Sequence, residues 1–180
     1  MSAAGLSRWA SRGKAIEGLP RPQPPQVITV PALTEQRLAN GLTIAVSERH
    51  DLPLVSVALM TRAGPEFDPP DRAGLAAMTA TLLTKGARRG KTAVGAAAIA
   101  HQAEALGGAI DSTSTWRAST LAMTVATPKL PEALALLADL ARRPTLAAEE
   151  LERARAQALD ALKVTLGDPG EVAGMVVRRA

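Results

Sequence analysis

The sequence predicts an α+β fold, an antiparallel or mixed sheet with helices packed on one face. Three observations carry this. Runs of strand-type residues bounded by Asn, Gly and Pro fall in two groups, one between residues 36 and 62 and one between 109 and 126. Stretches of helical periodicity follow each group. The resulting order of strands, two helices, two strands and then helices lacks the regular alternation that builds a parallel sheet. At 180 residues and 47% hydrophobic composition the chain has one domain's length and enough apolar material for a core. That core must be aliphatic, because Trp9, Phe67 and Trp116 are the only aromatic residues.

Residues 1–34 read as an extended, proline-rich leader. Pro20, Pro22, Pro24, Pro25 and Pro31 fix φ and remove donors, which opposes helix and central strand alike. The folded domain, 35–180, begins at Glu35. Gln36 to Ala39 and Leu42 to Ser47 form a hairpin in which Asn40-Gly41 meets the positive φ of a type I′ turn. Leu54 to Arg62 is a strong strand. The proline-bearing loop Gly64 to Asp71 follows, with Asp71 as the expected cap of the next helix. Thr92 is expected to cap a second, alanine-rich helix that ends at Gly107-Gly108. Ala109 to Thr115 and Ala118 to Ala126 suit two strands, the second closed by Pro128. Leu130, Ala133, Leu134, Leu137 and Leu140 make one stripe on a helix over Leu130 to Arg142. Ala147 to Leu166 is the longest helix, with Glu149, Glu150 and Glu152 in its first turns, where the dipole favours them. Gly167-Asp168-Pro169-Gly170 stops it, and a last helix begins near Glu171.

Composition excludes several functions. The net charge of +4 is spread among acidic residues, with no basic stripe interleaved with aromatics, so nucleic acid is not an expected partner. Without cysteine there are no disulfides, thiolate metal sites or cysteine nucleophiles. No apolar run is long enough to span a membrane, and Met1 to Pro25 lacks the apolar core of a secretory signal. His101 and Glu104 stand three apart on a helix among alanines, and His50 lies in a loop; solvation is the default for both. The Ser and Thr residues of Asp111 to Thr120 lack a Gly-x-Ser-x-Gly turn. Gly90-Lys91-Thr92 resembles the end of a phosphate loop, but the required first glycine is missing.

The most informative stretch runs from Ala73-Gly74-Leu75-Ala76 through Ala77, Ala80 and Thr81 to Lys85-Gly86. It resembles the zinc helix of the pitrilysin/insulinase (M16) metallopeptidases, in which a Gly-Leu-Ala lead precedes His-x-x-Glu-His and then Lys-Gly. Two imidazoles four residues apart share one helix face and a metal, and the glutamate takes a proton from the metal-bound water. Here those positions carry two methyl groups and one hydroxyl. Further along, Leu38-Ala39-Asn40-Gly41-Leu42, Arg62-Ala63-Gly64, Leu106-Gly107-Gly108 with Asp111 and Thr113-Ser114-Thr115, Leu134 to Pro144, and Glu152-Arg153 resemble family segments in the same order. Counting from Glu152-Arg153, the third zinc ligand falls on Ala161. The adjacent Asp160 is turned about 100° away around the helix.

The resemblance therefore implies a non-catalytic member of the family, with no catalytic residue at Ala77, Ala80, Thr81 or Ala161. It implies a LuxS/M16 metallopeptidase-like half-domain, incomplete at its C-terminus, with an unsatisfied sheet edge and marginal stability alone. No cofactor is expected in this chain, and zinc only in a partner subunit, an M16 peptidase forming a heterodimer. In active relatives the strand after the Gly-Gly turn pairs with the substrate backbone, so Asp111, Ser112 and Thr113 are the expected peptide-binding positions. Exported, periplasmic location is implied by resemblance alone. The alternatives are a purely structural assembly subunit without peptide contact and, against these residues, an active zinc peptidase.

Overall fold

The structure, a computed structural model, describes residues 31–179. The expected leader therefore lies outside the described residues except for positions 31–34. The chain divides into two compact units, Met1–Arg49 and His50–Ala180.

The described part of the first unit is a hairpin of β1 (Leu33–Arg37) and β2 (Thr43–Ser47), with Arg37 opposite Thr43. Its strand starts at Leu33, two residues before the expected Glu35. The turn is not type I′. Leu38 N–H donates to the Leu42 carbonyl at 2.8 Å and Gly41 N–H to the Leu38 carbonyl at 2.9 Å. Gly41 sits at φ +87° and Asn40 stays at negative φ. This is a type I turn closed by a glycine bulge, which needs one left-handed residue rather than two. Asn40 contributes differently, its Oδ1 accepting from Leu42 N–H at 3.1 Å.

The second unit runs β3 (Leu54–Thr61), α1 (Leu75–Leu83), β4 (Gly86–Arg89), β5 (Thr92–Gly95), α2 (Ala96–Ala105), β6 (Ile110–Ser114), β7 (Ser119–Ala126), α3 (Leu130–Arg142), α4 (Ala148–Leu166) and α5 (Pro169–Arg179). Its main sheet has the order β3-β7-β6, antiparallel throughout. Side chains alternate across a strand, so Val55, Val57 and Leu59 align with Val125, Met123 and Leu121 on one face. That face meets Ile99 and Ala103 of α2 and Ala133, Leu136, Leu137 and Leu140 of α3. The opposite face bears Leu54, Ser56, Ala58 and Met60, all exposed, with the Ser56 and Thr124 hydroxyls bonded at 2.8 Å. Helices thus cover one face of the sheet, as expected. Among the described residues β3 and β6 are its outer strands.

Two local expectations are corrected. Residues 86–95 are a second hairpin, β4–β5, in which Thr92 pairs with Arg89 and caps no helix; Gly95 precedes α2. Gly90, at φ +60°, takes the first position of a two-residue turn. Tertiary bonds hold this hairpin: Arg88 N–H donates to the Arg143 carbonyl at 2.8 Å, Thr145 N–H to the Gly86 carbonyl at 3.0 Å, and Arg89 Nε to Asp139 Oδ2 at 2.7 Å. The second correction concerns the start of α1. Asp71 faces only Arg72, at 3.7 Å with both side chains exposed. Asp68 does the capping, its two carboxylate oxygens accepting from Gly74 N–H at 2.8 Å and Ala76 N–H at 3.0 Å.

The loop that places Asp68 is itself pinned. Gly64 packs against the main chain of Thr115, Trp116 and Ala118, where no Cβ would fit. Glu66 N–H donates to the Trp116 carbonyl at 3.0 Å, and Ser119 Oγ donates to the Ala63 carbonyl at 2.6 Å. At the far end, α4 buries only Ala154 and leaves Leu151, Leu159, Leu162 and Leu166 exposed. Asp168 Oδ1 accepts from Gly170 and Glu171 N–H, so α5 begins at Pro169 rather than near Glu171.

Candidate functional site

The four positions that the family resemblance assigns to zinc chemistry lie on α1 and α4, which pack against each other. Ala77 and Thr81 are exposed one turn apart on α1. Thr81 Oγ1 donates its proton to the Ala77 carbonyl at 3.0 Å. On α4, Ala161 is exposed and its carbonyl receives Thr165 Oγ1 at 3.1 Å. Ala80, by contrast, is 3% exposed, and its carbonyl accepts from Ser112 Oγ at 2.7 Å. The helices meet, with Ala77, Thr81 and Ala161 open to solvent.

Zinc needs imidazole, thiolate or carboxylate donors, commonly three from the protein in a catalytic site. Methyl groups offer none, and the single hydroxyl is engaged by its own helix, so these residues do not fit the metal. Asp160 is exposed and paired with Lys163 at 2.8 Å. His101 and Glu104 face each other at 3.6 Å with side chains 81% and 72% exposed, a surface pair. Among the described residues no group of three or more His, Cys, Asp or Glu could hold a metal ion.

Beside α1 runs β6, and its hydrogen-bond phase separates the three expected peptide-binding residues. Thr115 and Ala118 exchange both main-chain bonds at the turn. In an antiparallel ladder, bonded and non-bonded pairs alternate. Thr113 opposite Thr120 and Asp111 opposite Ala122 are therefore bonded pairs, their N–H and C=O groups directed into β7. Ser112 is the reverse, its main chain facing the outer edge while its side chain reaches α1. Ile110 and Ser114 share its phase. The outward set is thus Ile110, Ser112 and Ser114, of which the sequence reading named only Ser112. Counting alternate residues back from the Trp116-Arg117 turn would have found the other two. Asp111 and Thr113 instead present exposed side chains on the uncovered face of the sheet.

The helix–sheet arrangement is shared with known proteins. The family model described as Insulinase (Peptidase family M16) matches residues 43–172. The chain belongs to the M16 family. Among solved structures, a peptidase M16 inactive domain from Pseudomonas fluorescens aligns with a TM-score of 0.72 at 26% identity, covering 79% of this chain and 34% of that one. Pitrilysin aligns with a TM-score of 0.62 at 23% identity over 76% of this chain and 14% of its own. A protease from Helicobacter pylori gives 0.61 at 17% identity over 68% of this chain and 29% of its own. The chain thus spans about a third or less of each of these M16-fold proteins. No curated protein sequence matches it. No helix among the described residues of this M16 chain is long and apolar enough to cross a membrane.

Proposed function

We propose that the chain is a non-catalytic M16 unit that holds an extended peptide along β6 and supports proteolysis by a zinc-bearing M16 partner. One observation carries the reading: the outward N–H and C=O groups of Ile110, Ser112 and Ser114 lie beside a helix whose Ala77 and Thr81 offer no metal-ligating side chain and whose Ala80 offers no base. Strand addition takes its affinity from main-chain hydrogen bonds and needs no catalytic side chain. Peptide capture therefore outlasts the loss of zinc, and the water-activating chemistry has to come from another chain. The similarity to an inactive M16 domain supports this.

The test is co-purification with the partner, followed by peptidase assay with and without this chain. Activity should rise when the chain is present, and metal analysis should assign zinc to the partner. Ser112→Pro removes an outward donor without breaking the β7 ladder, a substitution edge strands tolerate. It should abolish peptide binding by the assembled complex, whereas Ser112→Ala retains it. Unchanged binding by the proline variant would remove the strand-addition reading. A complex that forms normally with no peptide binding by either component of this chain's edge would favour a purely structural subunit. Stoichiometric zinc in the purified chain would overturn both.

A further inference from the structure

The fold gathers cations that the sequence keeps fifty residues apart. Lys85 precedes β4, Arg88 and Arg89 lie in it, and Lys91 is the second residue of the turn that follows. Arg142 ends α3 and Arg143 comes next. Main-chain bonds join the two segments: Arg88 N–H donates to the Arg143 carbonyl at 2.8 Å, Thr145 N–H donates to the Gly86 carbonyl at 3.0 Å, and Ala87 bridges antiparallel to Pro144. Arg88 and Arg143 therefore stand opposite each other, an arrangement in which like charges destabilise a strand pair. Arg88, Lys91, Arg142 and Arg143 are all exposed. Of the six cations only Arg89 has an ion pair among the described residues, with Asp139 at 2.7 Å. Six basic residues and one acidic residue make this surface +5. The chain's other 15 basic and 16 acidic residues come to −1, so its whole net charge of +4 resides here.

Beside the cations stands Leu146. Among the described residues it is the only one other than glycine at positive φ, at +44°, and it is 47% exposed. Few L-residues with a branched apolar side chain hold that conformation. The pinned segment from Arg143 to Thr145 ends at this residue, which leaves an apolar side chain in solvent next to a positive surface.

We propose that this surface docks the protein on an anionic lipid bilayer, with the guanidinium and ammonium groups among the headgroups and Leu146 at the acyl boundary. The proposal is independent of peptide capture at β6. A cluster of about 4–8 basic residues is the size that holds a protein on anionic membranes. Arginine forks take phosphate oxygens in pairs, and headgroups lying between Arg88 and Arg143 remove the repulsion that the free chain bears. A hairpin and a helix end offer charge spread over an area, which suits a plane of headgroups. No aromatic residue occurs between 68 and 115 or after 116, so the surface has no platform for stacked bases and single-stranded nucleic acid fits it poorly.

The experiment is flotation of the full chain with vesicles of phosphatidylcholine alone or of equimolar phosphatidylcholine and phosphatidylserine. The chain should float with the mixed vesicles only, and about 1 M salt, where the screening length falls to about 3 Å, should release it. Arg88→Gln with Arg143→Gln should weaken vesicle affinity about thirtyfold, two charges at about 1 kcal/mol each. Both substitutions keep the main-chain bonds, so the hairpin stays in place. Arg155→Gln with Lys163→Gln makes the same change of net charge on α4 and should alter affinity less than about twofold. Leu146→Asn suits the left-handed backbone and should weaken binding at least about threefold. Equal binding to neutral vesicles, no binding to mixed vesicles at low salt, or an equal loss from the α4 variant overturns the proposal. Tighter binding of duplex DNA or polyglutamate than of the mixed vesicles overturns the lipid assignment, and parental affinity in Leu146→Asn overturns the apolar contact.

Discussion

Removing the Asp68 carboxylate tests how α1 is held in place. Its two oxygens accept the Gly74 and Ala76 amides at 2.8 and 3.0 Å, satisfying two donors of the helix's first turn that have no intrahelical partner. Replacing a capping side chain with alanine costs about 0.5–2 kcal/mol. Two bonds to a charged acceptor put Asp68→Ala near the top of that range, about 1.5–2 kcal/mol, since the half-buried site lets water recover only part of them. For a chain of this size, about 2–4 °C of melting temperature per kcal/mol converts this to a drop of about 3–8 °C. Urea titration should show a lower midpoint at unchanged slope, which marks a stability change without a change in compactness. Asp68→Asn keeps one uncharged acceptor and should lose about half as much. Asp71→Ala is the contrast, because its only ion pair, with Arg72, is solvent-exposed; it should stay within about 0.5 kcal/mol. If Asp71→Ala cost as much as Asp68→Ala, or if Asp68→Ala had no measurable effect, the assignment of the cap would be wrong.

Leu140→Ala should cost about 3–5 kcal/mol by urea unfolding, because Leu140 is 0% exposed in the core that joins α3 to the sheet; a loss below about 1 kcal/mol would contradict that packing. Gly108→Ala drives a Cβ into the Thr124 carbonyl and to 3.2 Å from the Met123 Cε, and should destabilise by about 1–3 kcal/mol. Gly95→Ala, with nothing within 4 Å of its Cβ, should change stability by less than about 0.5 kcal/mol in the same titration. Rebuilding the ligand set as Ala77→His, Thr81→His and Ala161→Glu should create zinc-dependent stabilisation of about 2.7 kcal/mol at zinc a hundredfold above its dissociation constant. Absence of a zinc-induced melting shift in that triple variant would refute the placement of Ala161 at the third ligand position.

Much of the fold was legible because its periodicities are strong. The stripe of α3 set both its ends, Leu130 and Arg142, and the hydrophobic alternation of β3 and β7 marked the sheet. The β4–β5 hairpin was hidden because Gly-Ala-Arg-Arg and Thr-Ala-Val-Gly carry no alternation of their own. Burial of Ala87 and main-chain bonds to Arg143 and Thr145 hold those strands, and neither is local in sequence. The legible clue was Gly90 at the first position of a two-residue turn. Asp68 was passed over for a similar reason. A cap six to eight residues before its amides looks like loop until Gly64 folds that loop against the β6–β7 turn. At the candidate site, the expectation for Ala77, Ala80, Thr81 and Ala161 rests on side-chain identity alone. The hydrogen-bond phase of β6 could not, since it depends on where the turn begins.

The turn that sets this phase also carries Trp116, 65% exposed, one residue beyond Thr115. Phe67 is the only other aromatic among the described residues and the chain has no tyrosine, so Trp9 is the one competing indole. An indole stands two residues past Ser114, at the turn end of the β6 edge. A peptide added along β6 as far as Ser114 would end beside that indole, so in a Trp9→Phe background the emission of Trp116 would gauge how far along the edge a bound chain extends.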